Sequence, residues 1–329
     1  MSFKFDILSL MNRFHIILLL AIVFTSCDNE SKLEKDIAAI DIDVTIERFD
    51  RLFANANEAT LPELKQAYPF LFPKRFNDSV WINRMQDTLQ QQLNNEVDKA
   101  HGDFKDTEDD IYSFYQHLKY YFKEFKTPRL ITFTNDVDYR NKVIVTDTIT
   151  LIALDTYLGA SHDFYYDIYD YIKLNMDKDQ IVPDLAFSYA EKYIYQPKRK
   201  TLLDEMIYFG KTLYFKDVML PDTPDEIKIG YTKDQLEWAA INEENIWQHF
   251  VENEMLFSTD NKLPARFINP APFSKFNLEL DGESPGRLGQ YIGWQIVRAY
   301  AEKNDATLQE ILSMSAEDIF NNAKYKPRK

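Results

Sequence analysis

Residues 281–300 read Asp281-Gly-Glu-Ser-Pro-Gly-Arg-Leu-Gly-Gln-Tyr-Ile-Gly-Trp-Gln-Ile-Val-Arg-Ala-Tyr300, and they hold four of the eight glycines in the chain. Pro285 suits the first turn of a helix, and Gly286, Gly289 and Gly293 then recur on one face at spacings of three and four residues. Each glycine inside a helix costs roughly 1 kcal/mol relative to alanine. The segment therefore predicts a helix with one bare face, which another group can approach closely.

Two interpretations of this glycine face stay open. In the first, the face packs tightly against another helix or strand. In the second, it forms one wall of a cleft, into which Arg287, Tyr291 and Gln295 offer polar groups. A phosphate-binding loop is excluded, because the Gly-x-Gly-x-x-Gly pattern is absent and no strand leads directly into the segment.

Two other segments concentrate polar residues. The predicted helix at 202–215 carries Gly210 beside Lys211, and both glutamates of the pair Glu243-Glu244 lie in another predicted helix. Neighbours in a helix point about 100° apart, so one of these two glutamates is expected to face solvent. The residues predicted to line a cleft are Glu205, Gly210, Lys211, Glu243, Glu244, Trp247, Gly286, Arg287, Gly289, Tyr291 and Gly293.

The hydrophobic pattern predicts a few strands and many helices. Strict alternation over Asp41–Phe49 places Ile42, Val44 and Ile46 on one face, which is typical of a half-buried strand. Further strands are predicted at 130–134, 142–146 and 149–154. Helices are predicted at 61–71, 81–97, 111–125, 164–174, 185–194, 202–215, 232–253 and from about 284 to 303, the last substantial one. The sequence therefore predicts one α+β domain at 41–329, predominantly helical, with a small sheet in its N-terminal half.

The N-terminus has the features of a bacterial lipoprotein signal. A basic region precedes the apolar run Ile16–Phe24, which is too short to span a bilayer, and Thr25-Ser26-Cys27 follows. Residues 1–26 are predicted to be removed and Cys27, the single cysteine, to be lipidated (palmitate), with 27–40 as a tether. The alternatives are an ordinary signal peptide with an incidental cysteine, and Met11 rather than Met1 as the start. The predicted product is anchored to a membrane without crossing it.

The composition and motifs exclude several classes of function. A formal net charge of -15 argues against a general binder of nucleic-acid phosphates. With Cys27 lipidated, no thiol nucleophile remains, and neither a Gly-x-Ser-x-Gly elbow nor a His-Glu-x-x-His motif is present. No histidine after residue 26 lies four residues from another. We therefore predict no catalytic residue, no bound metal and no cofactor.

Motifs along the whole mature chain resemble a known family. They are Ile46-Glu-Arg-Phe-Asp50, Ile152–Gly159, Met206–Tyr214, Gly230–Trp238, Asn242–Trp247, Pro270–Phe273, Ser284–Gly289, Gly293–Val297 and Tyr325–Pro327. In that order, and behind a lipoprotein start, they are similar to the gliding-motility lipoprotein GldB family of Bacteroidota. The resemblance implies a lipoprotein of the cell envelope that faces the periplasm and is needed for gliding over surfaces. It also implies action with other Gld proteins and no established enzymatic activity.

A more distant resemblance concerns the order of the strands and glycine-bearing helices, which is similar to that of gluzincin-type zinc peptidases. In that register a His-Glu-x-x-His helix would fall at Asp184–Ser188, and a third zinc ligand near Phe209-Gly210. Asp184, Leu185, Ser188 and Phe209 stand there instead. Zinc hydrolysis needs three protein ligands and an open position. The resemblance therefore implies a degenerate zincin-like fold whose cleft binds without metal.

Three functions are compatible with the sequence. The favoured one is a non-catalytic component of the gliding machinery, which works through protein contacts and is held on the membrane by the lipid at Cys27. The second is a divergent envelope hydrolase or peptidase that uses Glu205, Glu243 or Glu244. The third is a sugar- or peptidoglycan-binding module, because aromatic rings can stack on sugars; the candidate rings are Trp238, Trp247, Tyr291 and Trp294.

Overall fold

Residues 32–278 and 281–329 are described by the computed structural model, and the chain separates into two compact units, 1–41 and 42–329. The predicted signal peptide and Cys27 therefore lie outside the described residues. The described part of the first unit contains helix α1, Lys32–Ala38, within the segment predicted as a tether. Across the part of the chain that the structure describes, every helix is too short or too polar to cross a membrane.

A mixed sheet lies in the N-terminal half of the second unit. Its strands are β1 (Ile46–Arg48), β2 (Arg129–Phe133), β3 (Val143–Val145) and β4 (Ile149–Ala153). The strand order is β1-β2-β4-β3, with β1, β2 and β4 parallel and β3 antiparallel to β4. Leu130 and Ile131 point to opposite faces and are both fully buried, so both faces of β2 are covered.

Helices form most of the remaining structure. They are α2 (Phe49–Ala54), α3 (Leu61–Ala67), α4 (Asp78–Gln86), α5 (Thr88–His101), α6 (Lys105–Tyr121), α7 (Asp170–Lys173), α8 (Ile181–Tyr193), α9 (Leu202–Met219), α10 (Asp225–Ile229), α11 (Lys233–Ile241), α12 (Glu243–Glu252), α13 (Leu263–Phe267), α14 (Leu288–Lys303), α15 (Leu308–Ser313) and α16 (Ala316–Ala323). The α+β class, the predominance of helix and the position of the sheet are confirmed. The zincin-like relationship stays a prediction.

The glycine face is the place where α9 and α14 meet. A Cβ on Gly293 would lie 1.8 Å from the carbonyl oxygen of Met206, and a Cβ on Gly210 would lie 2.3 Å from the carbonyl oxygen of Gly293. The two helix backbones are therefore in direct contact, which residues with a side chain do not permit. Gly289 likewise approaches the carbonyl oxygen of Phe267 in α13. The first interpretation, tight packing, describes these glycines.

Helix α14 begins later than predicted. Arg287 adopts a left-handed conformation with φ at 60°, so the helix starts at Leu288. Pro285 and Gly286 consequently precede the helix instead of forming its first turn. The chain also continues into α15 and α16, although no substantial helix was predicted after 303. Both follow capping residues, Thr307 and Ser315, whose side chains accept backbone hydrogen bonds.

Three other predicted elements differ from the structure. The helix predicted at 164–174 is wrong: a 3-10 turn, Asp163–Tyr165, and the short α7 replace it. Tyr165 is fully buried there and its hydroxyl donates to the carbonyl oxygen of Asp155 (2.8 Å), which holds the segment against the core. The helix predicted at 81–97 is divided by Asp87, which caps α5. The helix predicted at 232–253 is divided at Asn242 between α11 and α12.

Candidate functional site

A cavity of about 610 Å³ lies between α8, α9 and the segments that precede β3 and α14. Its walls also include residues 171–175, 228–231 and 268–271. Cavities of roughly 300–1,000 Å³ are typical of sites for small organic ligands. We therefore take this cavity as the candidate functional site and build it from its side chains.

One charged pair of the cavity joins β3 to α8. The ammonium group of Lys142 forms an ion pair with the carboxylate of Asp184 and donates to the carbonyl oxygen of Asn175 (2.9 Å). The same carboxylate accepts a hydrogen bond from the hydroxyl of Tyr157 (2.9 Å). Burial, and then the nearby Asp184 carboxylate, raise the pKa of Tyr157 well above its ordinary value. The negative charge of Asp184 is thus paired with Lys142 and hydrogen-bonded by Tyr157.

Lys216 enters the cavity from the last turn of α9. Its side chain is buried, with 6% of the residue exposed, and its ammonium donates to the carbonyl oxygen of Lys228 (2.8 Å). An ammonium has three donors, and this carbonyl is the single hydrogen-bond acceptor for Lys216 among the residues that the structure describes. Burial lowers the pKa of Lys216 to about 8; the positive charges of Arg287 and Lys142 add to that effect and Asp184 opposes it.

Arg287 supplies a third cation from the segment before α14. Its two terminal nitrogens donate to the carbonyl oxygens of Ile229 (2.8 Å) and Gly230 (2.7 Å). The guanidinium carbon lies 5.2 Å from the centroid of the Tyr231 ring, and the Tyr231 hydroxyl donates to the carbonyl oxygen of Gly286. Burial lowers the pKa of the Arg287 side chain. These contacts fix Arg287 at the cavity wall and place it beside the end of α10.

The turn after α10 requires a glycine. Gly230 has φ at 69°, and a Cβ at this position would lie 2.4 Å from the side-chain oxygen of Asn175. That oxygen is buried and has no hydrogen-bond partner among the described residues. Since a buried polar atom without a partner is costly, the cavity wall here carries an acceptor that the protein itself leaves unused.

The cavity is basic, although the chain as a whole is acidic. Five cationic side chains and two carboxylates line it. The cationic residues are Arg140, Lys142, Lys216, Lys228 and Arg287, and the carboxylates are those of Asp184 and Glu191. The ammonium of Lys228 is directed to Asp217, at 3.2 Å. With Lys142 paired to Asp184, the charges of Lys216 and Arg287 lack a carboxylate partner among the described residues. The local excess of positive charge favours an anion.

Asp217 belongs to a charged network next to this wall. The guanidinium of Arg298 forms two hydrogen bonds to Asp217 and two to Asp225, at 2.7–2.9 Å. It also lies 3.7 Å from the centroid of the Trp294 ring, whose nitrogen donates to Asp217 (2.8 Å). This network holds the end of α9 against α10 and α14, and it draws the Lys228 ammonium away from the other cavity cations.

Part of the lining is apolar, and it includes Phe187, Phe209, Leu213 and Ile229. Asp184, Ser188 and Phe209 line the cavity together, whereas Leu185 is buried in the core. These four residues stand where the alignment with gluzincin-type zinc peptidases would place the metal-binding motifs. The resemblance to those peptidases remains a prediction. No group of three or more His, Cys, Asp or Glu side chains within 32–278 and 281–329 is placed to hold a metal ion.

Of the residues predicted to line a cleft, Gly286 and Arg287 line this cavity. Gly210, Gly289 and Gly293 lie instead in the helix contacts described above. Lys211 is fully buried on the far side of α9, where its ammonium donates to the carbonyl oxygens of Leu312 and Met314. Burial lowers the pKa of Lys211 to about 8. Glu205 pairs with Arg199 outside the cavity.

The Glu243 carboxylate is enclosed elsewhere in the fold. It is buried, and it accepts hydrogen bonds from the hydroxyls of Tyr291 (2.9 Å) and Tyr325 (2.8 Å) and from the backbone N–H of Arg328 (3.1 Å). The Trp247 ring packs against the Tyr325 ring at 5.1 Å. This cluster attaches the C-terminal segment to α12 and α14.

Glu244, next to Glu243 in the sequence, is exposed, as the helix geometry predicted for one of the two. Tyr291 and Trp294, two of the rings suggested for sugar stacking, are buried and unavailable to a sugar at the surface. Of the residues singled out from the sequence, Glu243, Tyr291 and Trp247 therefore meet in this buried cluster, and none of the three lines the cavity.

Sequence reasoning missed Lys142 and Lys216 as cavity residues. For Lys216 a signal was present, because it lies one helical turn from the buried Leu213 and Met219, and a lysine within an apolar stripe is unusual. For Lys142 no such signal exists, since a charged residue next to a strand is ordinary. The cavity brings these residues together from distant parts of the chain.

Comparison with known proteins gives one family and no individual relative. The model of the family described as gliding motility protein GldB matches residues 30–327. Neither a curated protein nor a solved structure gives a significant match. Because the family match spans nearly all of the chain, and both described ranges up to residue 327, the chain belongs to the GldB family of gliding-motility lipoproteins.

Proposed function

We propose that this chain is a lipid-anchored component required for gliding motility, and that it acts without catalysis, through contacts with other gliding-machinery proteins. Membership of the GldB family supports the role in gliding motility. The family match begins at residue 30, shortly after Cys27, which is compatible with an anchor at that cysteine. The lipid on Cys27 holds the protein on a membrane with the globular unit facing the periplasm. The protein then supplies a fixed docking point within the envelope.

The positions of the carboxylates favour a role without catalysis. A hydrolase needs an acid or base within reach of bound substrate. Glu243 is occupied by three hydrogen-bond donors, Glu205 is paired with Arg199, and Glu244 is exposed at the surface. None of these three lines the cavity. The alternative hydrolase would thus have to work with residues other than those that suggested it.

The anchor is tested with Cys27→Ala. We expect the variant to lose labelling by a radioactive or clickable fatty acid and to leave the membrane fraction, while the unaltered chain in the same strain keeps both properties. Unchanged sedimentation of the variant with membranes would show that the anchor does not depend on this cysteine.

The non-catalytic role is tested by complementation of a strain that lacks the gene. Colony spreading should be lost on deletion and restored by the unaltered chain, and equally by Glu205→Gln and Glu244→Gln. Both substitutions preserve size and remove the charge. If the strain spreads without the gene, the motility role is wrong; if either variant is made at normal level and fails to restore spreading, the carboxylate does chemistry or binding that the proposal denies it.

A further inference from the structure

We infer that the basic cavity binds an organic anion, whose carboxylate group sits by Lys216 and Arg287 and whose apolar body lies against Phe187 and Phe209. This inference stands apart from the role in gliding, because it concerns a ligand site within one chain. It starts from the imbalance of charge inside the cavity and from the apolar part of its lining.

The first step is the state of Lys216. A buried ammonium with a single acceptor leaves two of its donors without a hydrogen-bond acceptor among the described residues. Burying a charge without a partner is costly, and proteins ordinarily resolve that cost with a counter-ion or a hydrogen-bonding ligand. The nearest carboxylate, Asp184, already forms an ion pair with Lys142 and accepts from Tyr157. An anion in the cavity would give Lys216 the partner that the described residues do not supply.

The second step concerns the kind of anion. The guanidinium of Arg287 contributes charge, but both terminal nitrogens already donate to backbone carbonyls, so its bidentate face is in use. Arg140 also lines the cavity but is exposed, so Lys216 is left as the main buried donor. One free ammonium beside one engaged guanidinium suits a singly charged head group, and thus a carboxylate, better than a phosphate dianion.

The third step is the body of the ligand. The Lys216 ammonium lies 5.8 Å from the centroid of the Phe187 ring, so the cationic and aromatic parts of the wall are adjacent. Phe209 and Leu213 continue the apolar surface. A ligand that satisfies both parts carries its carboxylate a few bonds from a ring or branched chain. The C-terminal residue of a peptide and a free acylated amino acid share this chemistry.

The test measures binding of defined probes to the full chain in detergent by isothermal titration calorimetry. The probes are N-acetyl-L-phenylalanine, its neutral amide, acetate, and the peptide Ala-Ala-Phe with a free carboxylate. We expect the acetylated amino acid to bind, the amide to bind roughly ten- to a hundredfold more weakly because the charged hydrogen bond is lost, and acetate to bind too weakly to detect. Tighter binding of the peptide than of the acetylated amino acid indicates a protein C-terminus as the natural ligand; equal binding indicates a free small molecule.

Two lysines on the same helix provide matched variants. Lys216→Met should weaken binding of N-acetyl-L-phenylalanine by roughly ten- to a hundredfold, Lys216→Arg should retain most of it, and Lys211→Met should leave it unchanged, since Lys211 faces α15 instead of the cavity. Circular dichroism checks that each variant is folded. The inference is overturned if neither the acetylated amino acid nor the peptide binds the unaltered chain, if the neutral amide binds as tightly as the acid, or if folded Lys216→Met keeps the full affinity. Where Lys216→Met fails to fold, the acid and amide comparison on the unaltered chain decides.

Discussion

The contact between α9 and α14 predicts a large effect for a very small substitution, Gly293→Ala. The added methyl group would lie 1.8 Å from the carbonyl oxygen of Met206, about 1.6 Å short of ordinary van der Waals contact. The obstacle is the backbone of a buried helix, so no side chain can rotate away. Either α14 must move outward from α9 or both helices must bend, and each response opens the contact between the two helix backbones.

The expected magnitude follows from two opposing contributions. Alanine in place of glycine stabilises a helix interior by about 1 kcal/mol. Overpacking typically costs about 1–3 kcal/mol, occasionally more, and a backbone obstacle belongs at the upper end of that range. We therefore expect the free energy of unfolding to fall by about 2 kcal/mol, which lowers Tm by roughly 3–4 °C for a domain of this size.

The measurement is urea and thermal unfolding followed by circular dichroism, with Gly282→Ala as the matched control. Gly282 is exposed in a 3-10 turn, and a Cβ there meets no described atom within 4 Å. The control should stay within about 0.5 kcal/mol of the unaltered chain. A Gly293→Ala variant as stable as the unaltered chain, or more stable, would refute the direct backbone contact.

Three further predictions concern charged groups. The pKa of Lys211 is about 8 in the folded chain and about 10.4 in the unfolded chain, so the unfolded chain binds more protons between these pH values. The stability of the unaltered chain relative to Lys211→Met, measured by chemical unfolding, should therefore rise by about 2 kcal/mol from pH 8 to pH 10. A difference in stability that does not change with pH would contradict this prediction. Arg298→Met removes the guanidinium that pairs with Asp217 and Asp225 and should cost about 2–3 kcal/mol at pH 7. Burial opposes the shift, but the hydrogen bonds from Arg298 lower the pKa of Asp225, so the stability that they supply is lost as the pH falls through that value and the cost of the substitution should be smaller near pH 3. An equal loss at pH 7 and pH 3 would argue against the ion pairs. Tyr325→Phe removes one donor from the buried Glu243 and should destabilise by about 1.5–3 kcal/mol in urea unfolding, whereas a loss below about 0.5 kcal/mol would mean that the hydrogen bond contributes little.

The parts of the fold that could be predicted from the sequence depend on local patterns. The strands at 130–134 and 149–154 and the long helix at 202–215 form within a few residues of their predicted bounds, because runs of apolar residues are a local signal for a buried element. The glycine face of residues 289–293 also predicted the close approach of another element, which is α9 at Gly293 and α13 at Gly289. The prediction of a helix at 164–174 was wrong because Tyr165 is held by a hydrogen bond to the carbonyl oxygen of Asp155, a residue outside the segment that gave the helical pattern.

The cavity could not be predicted in the same way. Lys142, Lys216 and Arg287 come from three separate elements, and their meeting depends on the crossing of α8 and α9 and on a left-handed residue before α14. Arg287 was selected for its neighbours in the sequence, although its role follows from carbonyl groups on α10. Glu243 was selected as one of a pair, but phenol groups from distant segments determine its environment. Nonlocal contacts of this kind leave little trace in a local pattern.

The enclosure of Glu243 has a consequence for the timing of folding. Two of its three partners, the Tyr325 hydroxyl and the Arg328 amide, belong to residues 325–328. Without them the buried carboxylate would keep a single hydrogen-bond donor, the Tyr291 hydroxyl, which is a costly arrangement for a charge. In a chain that is synthesised from its N-terminus, the first of these residues arrives 82 positions after Glu243. The core around α12 is therefore expected to stay open until residues 325–328 have been made, and its closure depends on them.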